Sequence, residues 1–238
     1  MAGNKKRLVV LTGAGISAES GFKTFRDSGG LWEQYNVEDV ASIQGWYRNP
    51  KLMTDFYNDL RAQLEHAQPN EGHKVLAELE QYFDVRIITQ NVDNLHEKAG
   101  SHNVLHLHGE LTKARPVNDD RESKVIEIGY RALGYGEKNA DGEELRPHIV
   151  WFGEAVPAIT EASRLVRSAD IFAVVGSSLV VYPAAGLVHD LRGGTKSYLI
   201  DPAEVSVPGW LNFTVIKEPA STGCAKMRDE LLKHLEEE

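Results

Sequence analysis

Two histidines, His106 and His108, stand in the run Val104-Leu105-His106-Leu107-His108-Gly109-Glu110, and a neutral imidazole near pH 7 suits a general base. Upstream, Gln90, Asn91 and Asp93 follow the apolar run 85–89. Their amides and carboxylate are the mixture that a carboxamide and sugar hydroxyls need. Asn91 or Asp93 is equally suited to start a helix as its N-cap. Gly13-Ala14-Gly15, with Ser17 close behind, follows the run 8–12. Two readings of that turn stand side by side. One is a backbone cradle for phosphate, with Ser17 capping a helix or touching an oxygen; the other is a tight turn with no ligand. Gly176, Ser177 and Ser178 repeat the pattern after 171–175, and Asp201 follows the run 197–200. Those serines suit sugar or phosphate oxygens, or an N-cap.

On a strand, His106 and His108 would face one side. His106 reads as structural, or as half of a His-x-His metal pair with His108 that has His102 or His96 nearby in sequence, though no third ligand is clear. In Ile149-Val150-Trp151-Phe152-Gly153-Glu154, either an exposed edge pairs with an extended peptide or the run is an ordinary buried strand.

These residues need a scaffold that brings strand ends together. The runs 8–12, 85–89, 171–175 and 197–200 are rich in Val, Ile and Leu with little alternation, as in strands covered by helices on both faces. Helical patterns cover 73–81, 160–168 and 227–238. This alternation predicts an α/β fold, a doubly wound, parallel, Rossmann-like sheet. Two stretches interrupt it. Residues 31–70 read as helices with turn signals at Asn49-Pro50 and Pro69-Asn70, and 115–146 is polar and too long for an ordinary connection. Together they are expected to form a small helical insertion module, leaving 1–30, 71–114 and 147–238 as the Rossmann-like domain.

The formal net charge of −9 argues against bulk binding to nucleic acid or anionic membrane. No apolar run reaches the roughly 20 residues that span a bilayer. The basic start of the chain runs straight into strand-like residues without a signal-type apolar region. The expectation is a cytoplasmic protein, and its acidic surface is compatible with a monomer. The one cysteine, Cys224, excludes an internal disulfide and a multi-cysteine metal site.

The glycine turn continues through Thr24-Phe25-Arg26-Asp27. With Gln90-Asn91-Val92-Asp93, Leu107-His108-Gly109 and Gly176-Ser177-Ser178 following in order, the chain resembles the sirtuin family of NAD-dependent protein-lysine deacylases. It is similar to the bacterial, class III-like branch that lacks zinc-binding cysteines. The resemblance implies NAD bound by Gly13, Ala14, Gly15, Ser17, Thr24, Phe25, Arg26, Gln90, Asn91, Asp93, Gly176, Ser177, Ser178, Asp201 and Ala220. It implies acyl-lysine proteins or peptides paired along Val150, Phe152 and Gly153. It also implies a reaction in which the acyl oxygen attacks the ribose carbon as nicotinamide leaves. His108 is then the base that moves the acyl group onto ADP-ribose, with Phe25 shielding the sugar from water.

Sirtuins usually hold a structural zinc on four cysteines after the catalytic histidine; 115–146 has none, so zinc is not expected. Tyr57, Leu60 and Arg61 resemble the helix that marks the branch acting on succinyl-, malonyl- or glutaryl-lysine, but arginine stands four residues after the tyrosine instead of three. Either Arg61 meets the acyl carboxylate from one turn along, or it is solvated and Leu60 makes the pocket apolar. NAD-dependent protein ADP-ribosyl transfer and a non-catalytic NAD sensor remain as alternatives. Hydride transfer by a Rossmann dehydrogenase is set behind them.

Overall fold

Leu8, Val9, Val10 and Leu11 of the first strand, β1 (Arg7–Thr12), are all fully buried. Side chains alternate along a strand. Leu8 and Val10 therefore join one hydrophobic cluster, and Val9 and Leu11 join another on the opposite face. A strand apolar on both faces needs a helical layer above and below it. The structure is a computed structural model and describes residues 5–22 and 35–237.

The described elements run α1 (Ala14–Ser17), α2 (Val37–Val40), α3 (Ile43–Arg48), α4 (Pro50–His66), α5 (Glu71–Glu78), β2 (Asp84–Thr89), α6 (Leu95–Ala99), β3 (Val104–His106) and β4 (Gly109–Pro116). Then come β5 (Ile126–Glu127), β6 (Leu145–Ile149), α7 (Ile159–Arg167), β7 (Ile171–Val175), β8 (Lys196–Ile200), β9 (Phe213–Ile216) and α8 (Ala220–Glu237). Six strands form a parallel sheet in the order β3-β2-β1-β7-β8-β9. Val75 and Leu76 of α5, with Met227 and Leu231 of α8, cover the Leu8 face. Ala162 and Val166 of α7, with Leu187 and Val188 of a 3-10 turn, cover the Val9 face. The doubly wound α/β expectation therefore holds.

The four expected strands are β1, β2, β7 and β8. Sequence reading did not separate out β9, whose residues are half-buried or exposed, so no buried apolar run marks it. The order reverses between β1 and β7, which opens a crevice at the strands' C-terminal ends.

The small module is not helical throughout. Its helical part centres on α4, started by Asn49 Oδ1 accepting from Leu52 N at 3.0 Å, with Pro50 in the first turn. The other part is an antiparallel sheet in the order β5-β4-β6. Phe56, Tyr57, Leu60 and Leu64 of α4 share a hydrophobic cluster with Leu111, Ile149 and Trp151. The polar stretch 115–146 is tied to itself and to α4. Ala114, Ile128, Leu133 and Leu145 make a minor core, and Lys124 pairs with Asp141 and Glu143 at 2.8 and 3.0 Å. Asn58 both donates to Leu133 O and accepts from Leu133 N, at 2.9 and 2.8 Å. Among the described residues no helix is long and apolar enough to cross a membrane.

Candidate active site

The loops that leave β1 and β7 interlock. Gly13 N donates to Val175 O at 3.0 Å, and Gly15 N donates to Gly176 O at 2.8 Å. Gly176 has φ +62°, where a side chain is strained, and a Cβ on Gly15 would lie 2.7 Å from Gly176 Cα. Only glycine lets these backbones touch. The crevice they form opens a cavity of about 610 Å³.

Its polar lining is held by a closed set of hydrogen bonds. Asn91 Nδ2 donates to Gly13 O and to Ser17 Oγ, both at 3.1 Å, and Ser17 Oγ donates to Asp93 Oδ2 at 2.9 Å. Leu95 N donates to Asp93 Oδ1 at 3.1 Å. Ser17 thus caps neither α1 nor the 3-10 turn after it. Burial dominates at Asp93 and raises its carboxyl, against the bonds from Leu95 and Ser17 that lower it. Gln90 Nε2 donates to Ser177 Oγ at 2.8 Å, so the loops after β2 and β7 are joined as well. Ser178 and Asp201 also line the cavity.

His108 lies between β3 and β4, in the cavity wall. Its Nδ1 is 2.9 Å from Gln90 O. A carbonyl only accepts, so Nδ1 carries the proton and Nε2 keeps its lone pair. Burial pulls the imidazole below its ordinary value of 6.5, and the bond to Gln90 opposes this. The ring is a neutral base at pH 7. His106 is different. Its Nδ1 meets Asn91 O at 3.0 Å and its Nε2 meets Glu97 Oε1 at 2.9 Å. Burial alone would lower it, but the Glu97 bond and charge outweigh that and raise it. It is a strut under the loop after β2. His96 bonds Thr12 Oγ1, and His102 bonds Glu80. Among the described residues no three His, Cys, Asp or Glu side chains are placed to hold a metal.

A second part of the cavity is apolar. Phe22, Tyr57, Leu60, Val92, Ile149 and Trp151 line it. Tyr57 is 2 % exposed, and its hydroxyl accepts from Trp151 Nε1 at 2.9 Å. Val150, Phe152 and Gly153 are in the lining too. The amides of Val150 and Phe152 already donate to His108 O and Ala41 O, each at 2.9 Å. A peptide strand would have to pair through the segment's other groups.

Residues 13–183 match the Sir2 family. The chain belongs to the Sir2 family. It is 51% identical over 230 residues to an NAD-dependent protein deacylase of Bacteroides thetaiotaomicron, covering 95% of this chain and 98% of that relative. It is 46% identical over 228 residues to an NAD-dependent protein deacylase of Helicobacter pylori, covering 96% of this chain and 98% of the relative. A solved Sir2 homologue–NAD complex superimposes with a TM-score of 0.85 at 36% identity, covering 97% of this chain and 91% of that one. A Sir2 homologue mutant bound to ADP-ribose gives 0.86 at 36% identity, covering 98% of this chain and 94% of that one.

Two expected site residues of this Sir2 chain lie away from the cavity. Arg61 is 0 % exposed; it donates to Leu111 O at 2.5 Å and to Asn58 Oδ1 at 2.6 Å. It is therefore neither solvated nor among the lining residues, and burial lowers it to about 10. Ala220 opens α8 and packs against Gly72. Thr24, Phe25 and Arg26 lie outside the described residues. Sequence reading passed over Trp151, Ile149 and Val92 as lining. A period of two along the strand would have paired 149 with 151, because alternate residues share a face.

Proposed function

We propose that this Sir2 chain is an NAD-dependent deacylase of protein lysine, with His108 as general base. The observation that carries the reading is one cavity with two linings. Glycine turns, hydroxyls and amides form one; Tyr57, Leu60, Ile149 and Trp151 form the other; His108 sits in the wall with Nε2 unprotonated. The Gly13–Gly15–Gly176 approach leaves bare backbone that suits a pyrophosphate. Ser17, Gln90, Asn91, Asp93, Ser177, Ser178 and Asp201 supply the donors and acceptors that ribose and carboxamide groups require. The residues present therefore fit NAD. When bound, NAD supplies a ribose carbon whose bond to nicotinamide can be broken.

The chain's own part is positional and acid–base. Gln90 O fixes the His108 tautomer, so that Nε2 takes a proton from a sugar hydroxyl. The aromatic wall excludes water from the acyl group. The wall of Tyr57, Leu60, Ile149 and Trp151 is apolar, so neutral acyl groups are the proposed substrates. The proposed small module comprises 31–70 and 115–146, and the cytoplasm is the proposed location.

The test is mass spectrometry of NAD reactions with acetyl-, succinyl- and long-chain acyl-lysine peptides. Nicotinamide and O-acyl-ADP-ribose that vanish with His108→Ala support the reading. ADP-ribose carried on protein, with no free O-acyl product, would replace it with ADP-ribosyl transfer.

A further inference from the structure

Every polar handle of Trp151 is held. Its main-chain N–H donates to Glu154 Oε2 at 2.9 Å, and its indole Nε1–H donates to Tyr57 OH at 2.9 Å. The Arg146 guanidinium carbon lies 3.5 Å from the indole centroid. Trp46 stacks on the same indole at 5.2 Å, with ring planes 27° apart.

Arg146 is itself 2 % exposed and grips Glu154 with both ends of its fork, Nη1 to Oε1 at 2.8 Å and Nη2 to Oε2 at 2.9 Å. Nη2 also donates to Ile149 O at 2.9 Å. Arg115 shares the Glu154 carboxylate at 3.2 Å. A buried ion pair is a poor source of stability compared with apolar packing of the same volume. What this pair does supply is geometry. It ties residues 146, 149, 151 and 154 into one rigid corner.

Tyr57 extends that corner into the cavity. Its hydroxyl oxygen accepts from Trp151, so its own proton is free to donate elsewhere. Burial holds the phenol far above its ordinary range, and it stays neutral.

We propose that Arg146 is a positioning residue that, clamped on Glu154, fixes the Trp151 indole as a rigid wall and, through the Trp151–Tyr57 bond, sets which acyl-chain lengths the cavity accepts. This inference rests on the deacylase reading. Arg146 does not line the cavity; it acts through Trp151. Removing it frees the indole to swing, and a wall that moves discriminates less between chain lengths.

The experiment compares kcat/KM for acetyl-, butyryl- and octanoyl-lysine peptides at saturating NAD. The proteins are wild type, Arg146→Met, Arg146→Lys, Trp151→Phe and the Arg146→Met/Trp151→Phe double variant. KM for NAD and Tm are recorded for each. The acetyl-to-octanoyl ratio is expected to shift about tenfold in Arg146→Met, since a methylene-scale change in a pocket is worth that much. Arg146→Lys keeps a cation over the ring but loses the fork, and falls between Met and wild type. Trp151→Phe shifts the ratio too, and adding Arg146→Met to it changes little further. Equal losses for all three peptides, or additive shifts in the double variant, overturn the inference. If Arg146→Met does not fold, Arg146→Lys and Trp151→Phe decide by the same ratio. A wild type that turns over no acyl peptide overturns the deacylase reading and this inference with it; an active wild type with unshifted variants overturns the inference alone.

Discussion

Ser17 Oγ donates to Asp93 Oδ2 at 2.9 Å, joining two loops that lie 76 residues apart in sequence. The contact fastens the glycine turn after β1 to the loop after β2. It also places a carboxylate where burial opposes its charge.

That opposition separates stability from function at Asp93. Its folded-state value is raised above the ordinary 3.8, so the folded chain holds the proton more tightly than the unfolded chain does. Stability is therefore lost as pH rises above 3.8. Asp93→Asn removes the buried charge but also turns one of the two accepting oxygens into a donor, against Ser17 Oγ or Leu95 N. It is expected to flatten the loss of stability above pH 3.8 while KM for NAD rises about tenfold, one charge-assisted contact. Thermal melts across pH beside NAD titrations check this; an unchanged pH slope with unchanged KM would sink it.

Gly15→Ala puts a methyl 2.7 Å from Gly176 Cα, and neither backbone is a flexible tip that can give way. The loops after β1 and β7 must part. The expected result is a loss of NAD affinity of at least about tenfold with a drop in stability of about 1–3 kcal/mol. Calorimetric titration and denaturant melts read the two effects, and wild-type affinity would show that the close approach is not needed.

His108 gives the acid limb of activity. Burial lowers its value below 6.5, so the base survives to lower pH than a free histidine would. The midpoint of the fall in kcat/KM on the acid side is expected below 6.5. His108→Ala is expected to cost about 10²–10⁴-fold in turnover with NAD still bound. A pH–rate profile with its acid midpoint at 7 or above would contradict the assignment.

His73 and His96 are both 0 % exposed, with ring centroids 4.9 Å apart. Burial lowers His73 to about 4 and His96 well below 6.5. Unfolded chain takes up protons near 6.5 while folded chain resists until about 4, so stability is full above 6.5 and drains between the two. His73 alone accounts for about 3 kcal/mol. Denaturant melts from pH 7 to 4 should show this fall, and His73→Gln should flatten it; equal slopes would refute the origin.

Residues 115–146 carry their own small core and ion pairs, and the chain's one cysteine, Cys224, is buried elsewhere in α8. Dialysis against EDTA is expected to leave Tm and deacylation unchanged. Stoichiometric zinc in a purified sample would overturn this.

The parallel sheet was legible because β1 and β7 are apolar on both faces and β2 and β8 end in apolar runs. β9 escaped because an edge strand needs no such run. That Gly13, Gln90, Asn91, Asp93 and Gly176 would share one cavity was legible for a related reason: strand ends place them with little freedom. The apolar wall was not, since it is built between elements distant in sequence. Arg61 shows the limit well. Helical spacing put it on the Tyr57 side, as expected, but Leu111 O and Asn58 take its guanidinium, and those partners come from tertiary packing. Trp151 was hidden by its neighbours; its alternation partner Ile149 was the signal.

The cluster that holds Tyr57, Leu60 and Trp151 is separate from the two that sandwich the parallel sheet. Substitutions at those three positions can therefore reshape the apolar lining without entering the two layers that cover the parallel sheet. In evolutionary terms, the apolar lining is open to change at a pace of its own, apart from the sheet.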